Sequence, residues 1–310
     1  MLEGRRVLVT GGGGFVGSFL AEGIAARDPG EVLIPRSADY DLTDQHVTRK
    51  LFEGFRPEIV FHLAAVVGGI GANQLNPGLF FYSNMALGLN LIEESRRSGV
   101  QKFVFVGTTC SYPKDAPIPF REEDLWNGFP EETNAPYGVA KRALAVMLEA
   151  YSRQYGLNGI HLLPANLYGP GDNFDLETSH VIPAMIRKFV DAEESGAPTV
   201  MLWGSGQVSR EFLYVEDCAE GILLANERYN RPDPVNLGTG VEIMISRLAE
   251  NVRTAVGFEG EIVWDLSRPD GQPRRRLDTS RAREEFGFVA ATDFEEGLKK
   301  TVEWYRASRQ

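Results

Sequence analysis

The chain is expected to fold as an α/β protein, a doubly wound parallel sheet with a smaller C-terminal α/β substrate-binding domain. Three observations predict this. An apolar strand runs into a glycine-rich turn and an amphipathic stretch within the first 27 residues, short apolar runs then alternate with helical stretches, and beyond Pro164 the pattern becomes less regular. Alternation of strand and helix is the mark of βαβ units, because parallel neighbours must be joined by a crossover.

Taken in order, strands are expected at residues 7–9, 31–34, 59–63, 103–106 and 160–163, with helices at 15–27, 44–54, 80–98 and 137–155. Later helices are expected at 180–194, 216–229, 245–256 and 294–307, with turn-rich loops at 166–172 and 268–273. The dinucleotide-binding part is assigned residues 1–165 with segments returning near 206–240, and the substrate part 166–205 and 241–310. Ligands of such sheets bind at the carboxyl ends of the strands, so the chemistry is sought in the loops that follow them.

The first of those loops is the turn after Val7-Leu-Val9, with glycines at 11, 14 and 17 leading into a helix. Glycines there permit a tight turn and close approach of a pyrophosphate, which then sits at the helix N-terminus. The second is the run Pro136-Tyr-Gly-Val-Ala-Lys141. Tyr137 and Lys141 stand at i and i+4, on one face of a helix. An ammonium there is expected to depress the phenol from its ordinary value of about 10, so that it can pass a proton while a nicotinamide moves a hydride. Together the turn and the pair define a Rossmann-like oxidoreductase site.

Bulk properties agree with a soluble enzyme. Hydrophobic residues make up 43% of 310, and no apolar run reaches the roughly 18 residues of a membrane span. The segment before Val7 is polar, so no secretory leader is read and a cytoplasmic location is expected. Only Cys110 and Cys218 occur, with no CxxC pair, so neither a disulfide framework nor a metal site is expected. A net charge of −11 argues against nucleic acid and anionic membrane as partners. Against that acidic background stand Arg210, Arg268 and the triplet Arg274-Arg275-Arg276. They are either solvated surface charge or a site for a phosphorylated small molecule.

The loop after the fourth strand reads Gly107-Thr-Thr-Cys-Ser-Tyr-Pro-Lys114. A Thr108 hydroxyl could hold the substrate oxygen that Tyr137 protonates, though such a pair of threonines also serves turns. Cys110 is a candidate proton-abstracting base or a small buried hydrophobe. Of the histidines at 46, 62, 161 and 180, His62 and His161 belong to apolar strands. His180, at the start of a helix, is the best acid/base candidate.

Several stretches together resemble the GDP-L-fucose synthase family of extended short-chain dehydrogenases/reductases. They include Leu63-Ala-Ala-Val-Val-Gly-Gly-Ile-Gly-Ala-Asn73, Thr108-Thr-Cys-Ser-Tyr-Pro-Lys114, Asn134-Ala-Pro-Tyr-Gly-Val-Ala-Lys141, Ser179-His-Val-Ile-Pro-Ala184 and Arg268-Pro-Asp-Gly-Gln-Pro-Arg274. The likeness runs to about residue 300. It implies that Cys110 is an epimerase base and His180 its acid partner, and that Tyr137, Lys141 and Thr108 form a reductase triad. It places a GDP-sugar against Lys188, Trp203, Arg210 and Asp270. It places the dinucleotide against Gly11, Gly14, Phe15, Val16 and Gly17, then Arg36, Ser37, Asp41 and Leu42. Further contacts are Ala64, Val106, Gly107, Thr109, Pro164, Asn166 and Leu167, with Lys141 and His180. A homodimer through the helices near 80–98 and 137–155 is also implied, for which Leu87, Leu89, Leu91 and Ile92 could supply apolar surface, though they could equally be core.

Where an NAD site would place an acid at the tip of the second strand, this chain has Ile34-Pro-Arg36-Ser37. Arg36 can pair a 2′-phosphate, which favours NADP (NADPH). Gly12, Gly13 and Ser37 stand where relatives often carry arginine, which keeps NAD as the second cofactor. Three other readings share parts of the pattern. A sugar-nucleotide 4,6-dehydratase usually has Asp-Glu where Thr109-Cys110 stand. A UDP-sugar 4-epimerase leaves Cys110 and His180 without a use, and a non-catalytic dinucleotide-binding regulator tends to lose the Tyr/Lys pair.

Overall fold

β1 (Arg6–Thr10) carries the fully buried run Val7, Leu8 and Val9, which needs cover on both faces of a sheet. In the computed structural model, which describes residues 1–68, 70–268 and 270–309 and only the backbone of Ile70 and Ala72, that cover is complete. Gly69 and Pro269, inside two of the family-like stretches, lie outside the described residues. From β1 the chain passes through α1 (Phe15–Ala25), β2 (Glu31–Leu33), α2 (Gln45–Phe55) and β3 (Ile59–His62). A short α3 (Ile70–Leu75) and the long α4 (Pro77–Arg97) lead to β4 (Lys102–Val106), then α5 (Ala135–Tyr155) and β5 (Gly159–Pro164). Asp44 starts α2 by accepting from His46 N and Val47 N, as an N-cap should.

The rest of the chain is more regular than its sequence suggests. It forms β6 (Asn166–Tyr168), α6 (Val181–Ser195), β7 (Thr199–Trp203), β8 (Ser209–Tyr214) and α7 (Val215–Arg228). Then follow β9 (Pro234–Leu237), β10 (Glu242–Met244), α8 (Ile245–Val256), β11 (Glu261–Asp265), α9 (Ser280–Phe286) and α10 (Phe294–Ser308). The sequence reading missed these six strands and the short helices α3 and α9. The strands have three to six residues and their pairing partners lie far along the chain, so local periodicity is too brief to reveal them.

The main sheet runs β2-β1-β3-β4-β5-β9, all parallel, with Val7 opposite Ile59 and Leu162 opposite Val235. One core lies between this sheet and α1, α7 and α9, and includes Leu20, Ile222 and Phe286. A second lies under α2, α4 and α5, around Phe52, Leu91, Ile92 and Leu144. A third joins α6, α8 and α10 with the small sheets β10-β8-β6 and β11-β7, around Phe189, Leu248 and Val302. Strand order reverses between β1 and β3, and the crevice outside their carboxyl ends is where such a sheet accepts a ligand.

Candidate active site

The glycine turn fills that crevice in the expected way. Gly11 has φ +78°, and a Cβ on it would lie 2.6 Å from Ala64 N in the loop after β3. A Cβ on Gly17 would run into the Gly11 carbonyl. Gly14 is the N-cap of α1 and no side chain caps the helix, so the N–H groups of the turn around Phe15 and Val16 are open to an anion. A Cβ on Gly13 would meet open space, so the outer side of the turn is clear. These residues fit the pyrophosphate of a dinucleotide.

Beyond β2, Arg36 and Ser37 are exposed, and the Arg36 side chain makes no hydrogen bond or ion pair among the described residues. Asp41 is already engaged, since its carboxylate accepts from Thr43 N at 3.0 Å and Thr43 Oγ1 at 2.6 Å, which lowers its pKa. Leu42 is buried and its carbonyl accepts from Thr48 Oγ1 and Asn90 Nδ2. Both shape the loop into α2, and Arg36 is the free charge.

After β4 the chain turns at Gly107 into a single 3₁₀ turn, Thr109–Ser111. Thr108 caps it by accepting from Cys110 N at 3.2 Å. The start of α5 packs straight onto this turn. Ser111 Oγ donates to the Gly138 carbonyl at 3.1 Å, and only a glycine between Tyr137 and Lys141 allows the backbones to meet. Tyr137, buried, lies within hydrogen-bond reach of the Thr108 hydroxyl and feels the charge of Cys110. Lys141 Nζ donates to the Val106 carbonyl at 3.0 Å and rests 4.9 Å from the Phe105 ring centroid. Below it Phe105 stacks between His62 and His161, with centroids 5.7 and 5.1 Å apart. Burial and the Lys141 charge keep both imidazoles neutral, His161 at about 3. They support the floor of the site, in keeping with the structural reading of both.

The electrostatics correct one expectation. Burial raises the Tyr137 pKa, Cys110 adds to the rise, and only the Thr108 hydrogen bond opposes it. Burial lowers Lys141 to about 7. The lysine therefore does not depress the phenol in the ligand-free protein, because both groups are buried and desolvation disfavours the charged form of each. Burial thus favours the protonated form of Tyr137.

His180 is the N-cap of α6, exposed, and its ring has no hydrogen-bond partner among the described residues. Surrounding protein atoms lower its pKa. Asn166 Nδ2 donates to the Glu211 carbonyl at 2.9 Å and ties β6 to β8, flanked by Pro164 in β5 and by Leu167.

The candidate sugar-nucleotide residues form a cationic wall. Trp203 is 61% exposed, with Arg268 Cζ at 4.9 Å and Lys188 Nζ at 5.4 Å from its ring centroid. Lys188 Nζ also donates to the Met201 carbonyl at 3.0 Å. Arg210 Nη1 donates to the Ser209 carbonyl at 2.7 Å, and burial together with the Arg275 charge lowers it to about 10. Asp270 accepts from Ser205 N at 2.6 Å and Ser205 Oγ at 2.8 Å, so its carboxylate orders the loop behind Trp203. The arginine triplet divides. Arg274 pairs with Glu242, Arg276 lies in the field of Glu211 and Glu242, and Arg275 Nη1 reaches Cys110 Sγ at 4.0 Å. Sequence reasoning missed Gly138 and Gln272. Gly138 was legible as the small residue inside the Tyr/Lys pair, while nothing local marks Gln272.

A dinucleotide cradle, a Tyr/Lys pair and a thiol on one turn define a nucleotide-dependent oxidoreductase with acid–base chemistry beside the hydride site. The chain belongs to the NAD dependent epimerase/dehydratase family, whose model matches residues 7–238. It is 43% identical to the GDP-L-fucose synthase of Sinorhizobium fredii, over 98% of this chain and 96% of that one. Its fold matches a GDP-6-OMe-4-keto-L-xylo-heptose reductase from C. jejuni with TM-score 0.94 and 30% identity, covering 99% of each chain. It also matches a GDP-L-fucose synthetase from Naegleria fowleri bound to NADP, with TM-score 0.92 and 29% identity, covering 100% of this chain and 96% of that one.

Proposed function

We propose that this enzyme converts GDP-4-keto-6-deoxy-D-mannose to GDP-L-fucose by epimerisation at C3 and C5 followed by NADPH-dependent reduction at C4. The observation that carries the reading is the joining of Cys110 to Tyr137, Lys141 and Thr108 through one 3₁₀ turn and the start of α5. A plain reductase needs the last three and has no use for a thiol there.

In this reading the 4-keto group acidifies the protons on C3 and C5. Cys110 Sγ takes each in turn and the electron pair moves into an enolate. Thr108 Oγ1 and the Tyr137 hydroxyl hold the enolate oxygen as an oxyanion hole would. His180 returns a proton to the opposite face. When bound, NADPH supplies the hydride to C4. Tyr137 then protonates O4, and Lys141, fixed by the Val106 carbonyl, supplies positive charge beside it. The turn of Gly11, Gly14 and Gly17 would hold the pyrophosphate and Arg36 the 2′-phosphate. Lys188, Trp203 and Arg210 would hold the GDP-sugar. General acid–base help of this kind is worth about 10²- to 10⁴-fold.

The fold match to a heptose reductase favours, as second reading, 4-reduction of another GDP-4-keto sugar such as a heptose. NMR of the product formed with NADPH in heavy water decides between them. L-fuco product with deuterium at C3 and C5 is expected, and reduced sugar without deuterium would leave a plain 4-ketoreductase.

A homodimer through α4 and α5 belongs to the same reading. Of the residues open to either use, Leu91 and Ile92 are core, and Leu87 packs partly against that core. The outward apolar residues of α4 instead include Leu79, Tyr82 and Leu89, with Val146 exposed on α5. The cytoplasmic expectation stands with it, and among the described residues no helix is long and apolar enough to cross a membrane.

A further inference from the structure

The loop that follows Asp270 crosses the catalytic turn, and one of its arginines reaches the thiol. Arg275 Nη1 lies 4.0 Å from Cys110 Sγ, within hydrogen-bond range for sulfur. Its Nε donates to Gln272 Oε1 at 2.7 Å, and Gln272 Nε2 donates to the Lys114 carbonyl at 2.6 Å, further along the loop that carries Cys110. Backbone bonds hold the crossing in place. Phe120 N donates to the Arg276 carbonyl at 2.7 Å, Asp278 N to the Phe120 carbonyl at 2.9 Å, and Leu277 N to the buried Glu211 carboxylate at 2.6 Å. Arg275 is half-buried and, among the described residues, has no carboxylate partner, whereas Arg274 is paired with Glu242. An unpaired guanidinium aimed at a sulfur, with Arg210 close enough to repel it, is best satisfied by negative charge on that sulfur.

We propose that Arg275 is a positioning residue for Cys110. Its Nη1 orients Sγ and carries the negative charge on the sulfur when the thiol has given its proton to solvent. The thiolate then takes a proton from C3 or C5, an S–H bond forms as the C–H pair enters the enolate, and Arg275 stays protonated throughout. The fork matters because one edge binds Gln272 while the other meets sulfur, and an ammonium has no such pair of edges. This inference rests on the reading of Cys110 as the epimerase base.

The test uses iodoacetamide on the ligand-free full-length enzyme across pH, with Cys110→Ser as control, since Cys218 is fully buried. Arg275→Met is expected to slow Cys110 alkylation near neutral pH by about tenfold and to move the rate profile to higher pH. Arg275→Lys should recover part of the rate, and Gln272→Ala, which only frees the guanidinium, should lose less. Deuterium entry at C3 and C5 should fall with alkylation in the same order, while the KM for the GDP-sugar changes little. An alkylation profile unmoved in both Arg275→Met and Gln272→Ala overturns the inference. So does a raised KM with intact deuterium entry, which would make Arg275 a substrate contact. Wild-type enzyme that admits no deuterium would overturn the epimerase reading instead, and the alkylation profile still judges the Arg275–Cys110 pair.

Discussion

A Cβ on Gly138 would lie 3.0 Å from the carbonyl carbon of Cys110 and nearer still to its oxygen, so α5 begins in backbone contact with the turn that carries the thiol. This contact sets the relation between Cys110 and Tyr137, which precedes Gly138 in the chain. Gly138→Ala must push the turn and the helix apart. Since a misplacement of about 1 Å can cost roughly 10²-fold, turnover should fall by about that factor. NADPH titration should show cofactor binding retained, because the glycine turn after β1 is untouched.

Tyr137→Phe removes the proposed proton donor to O4 but leaves Cys110 and Thr108 in place. Reduction, followed as NADPH oxidation, should drop by about 10²- to 10⁴-fold. Deuterium entry at C3 and C5, read by mass spectrometry, should fall less, because Thr108 still holds the enolate oxygen. Equal loss of both would mean that Tyr137 dominates both steps.

Lys141 makes stability depend on pH in a predictable direction. Unfolded, a lysine keeps its proton to about pH 10.4. In the folded ligand-free protein burial lowers it to about 7. Between those values the unfolded chain binds more protons, so stability rises with pH, by up to about 1.4 kcal/mol per pH unit. Below the folded value the cost of burying the ammonium is at its greatest. Lys141→Met should therefore be more stable than the wild type near pH 6, and the difference should shrink as pH rises toward 10. Urea titrations of both proteins across that range check the sign.

Arg36, three residues beyond β2, is exposed and its side chain has no hydrogen-bond or ion-pair partner among the described residues. Charge-assisted bonds are worth about 1.5–3 kcal/mol, so Arg36→Ala should raise the KM for NADPH by roughly 10- to 100-fold. The KM for NADH, which lacks the 2′-phosphate, should hardly change. Parallel losses with both cofactors would place Arg36 outside the ribose site.

Much of the fold could be read from residues alone. The five strands up to Pro164 and the crossover helices stand within a few residues of their expected bounds, because each repeats its pattern over several residues and is bounded by glycine or proline. The glycine turn and the Tyr137/Lys141 pair were legible for the same reason, since both are local spacings. The later half was less so. Strand β9, the edge of the main sheet, is four residues long and pairs with β5 from the far side of α6 and α7, which no window of sequence contains.

By itself, then, the sequence determined which residue types stand at the turn after β1 and on the first face of α5, and so the class of chemistry. Tertiary structure decided what those groups are electrically and which partners they meet. The pair read as a lysine lowering a tyrosine became two groups that burial drives toward their neutral forms. The triplet of arginines became one ion pair, one charge beside Glu211 and Glu242, and one guanidinium on the Cys110 sulfur. The physical reason is common to both cases. Spacing along a helix or a loop is a local property, while desolvation and long-range contact belong to the packed molecule.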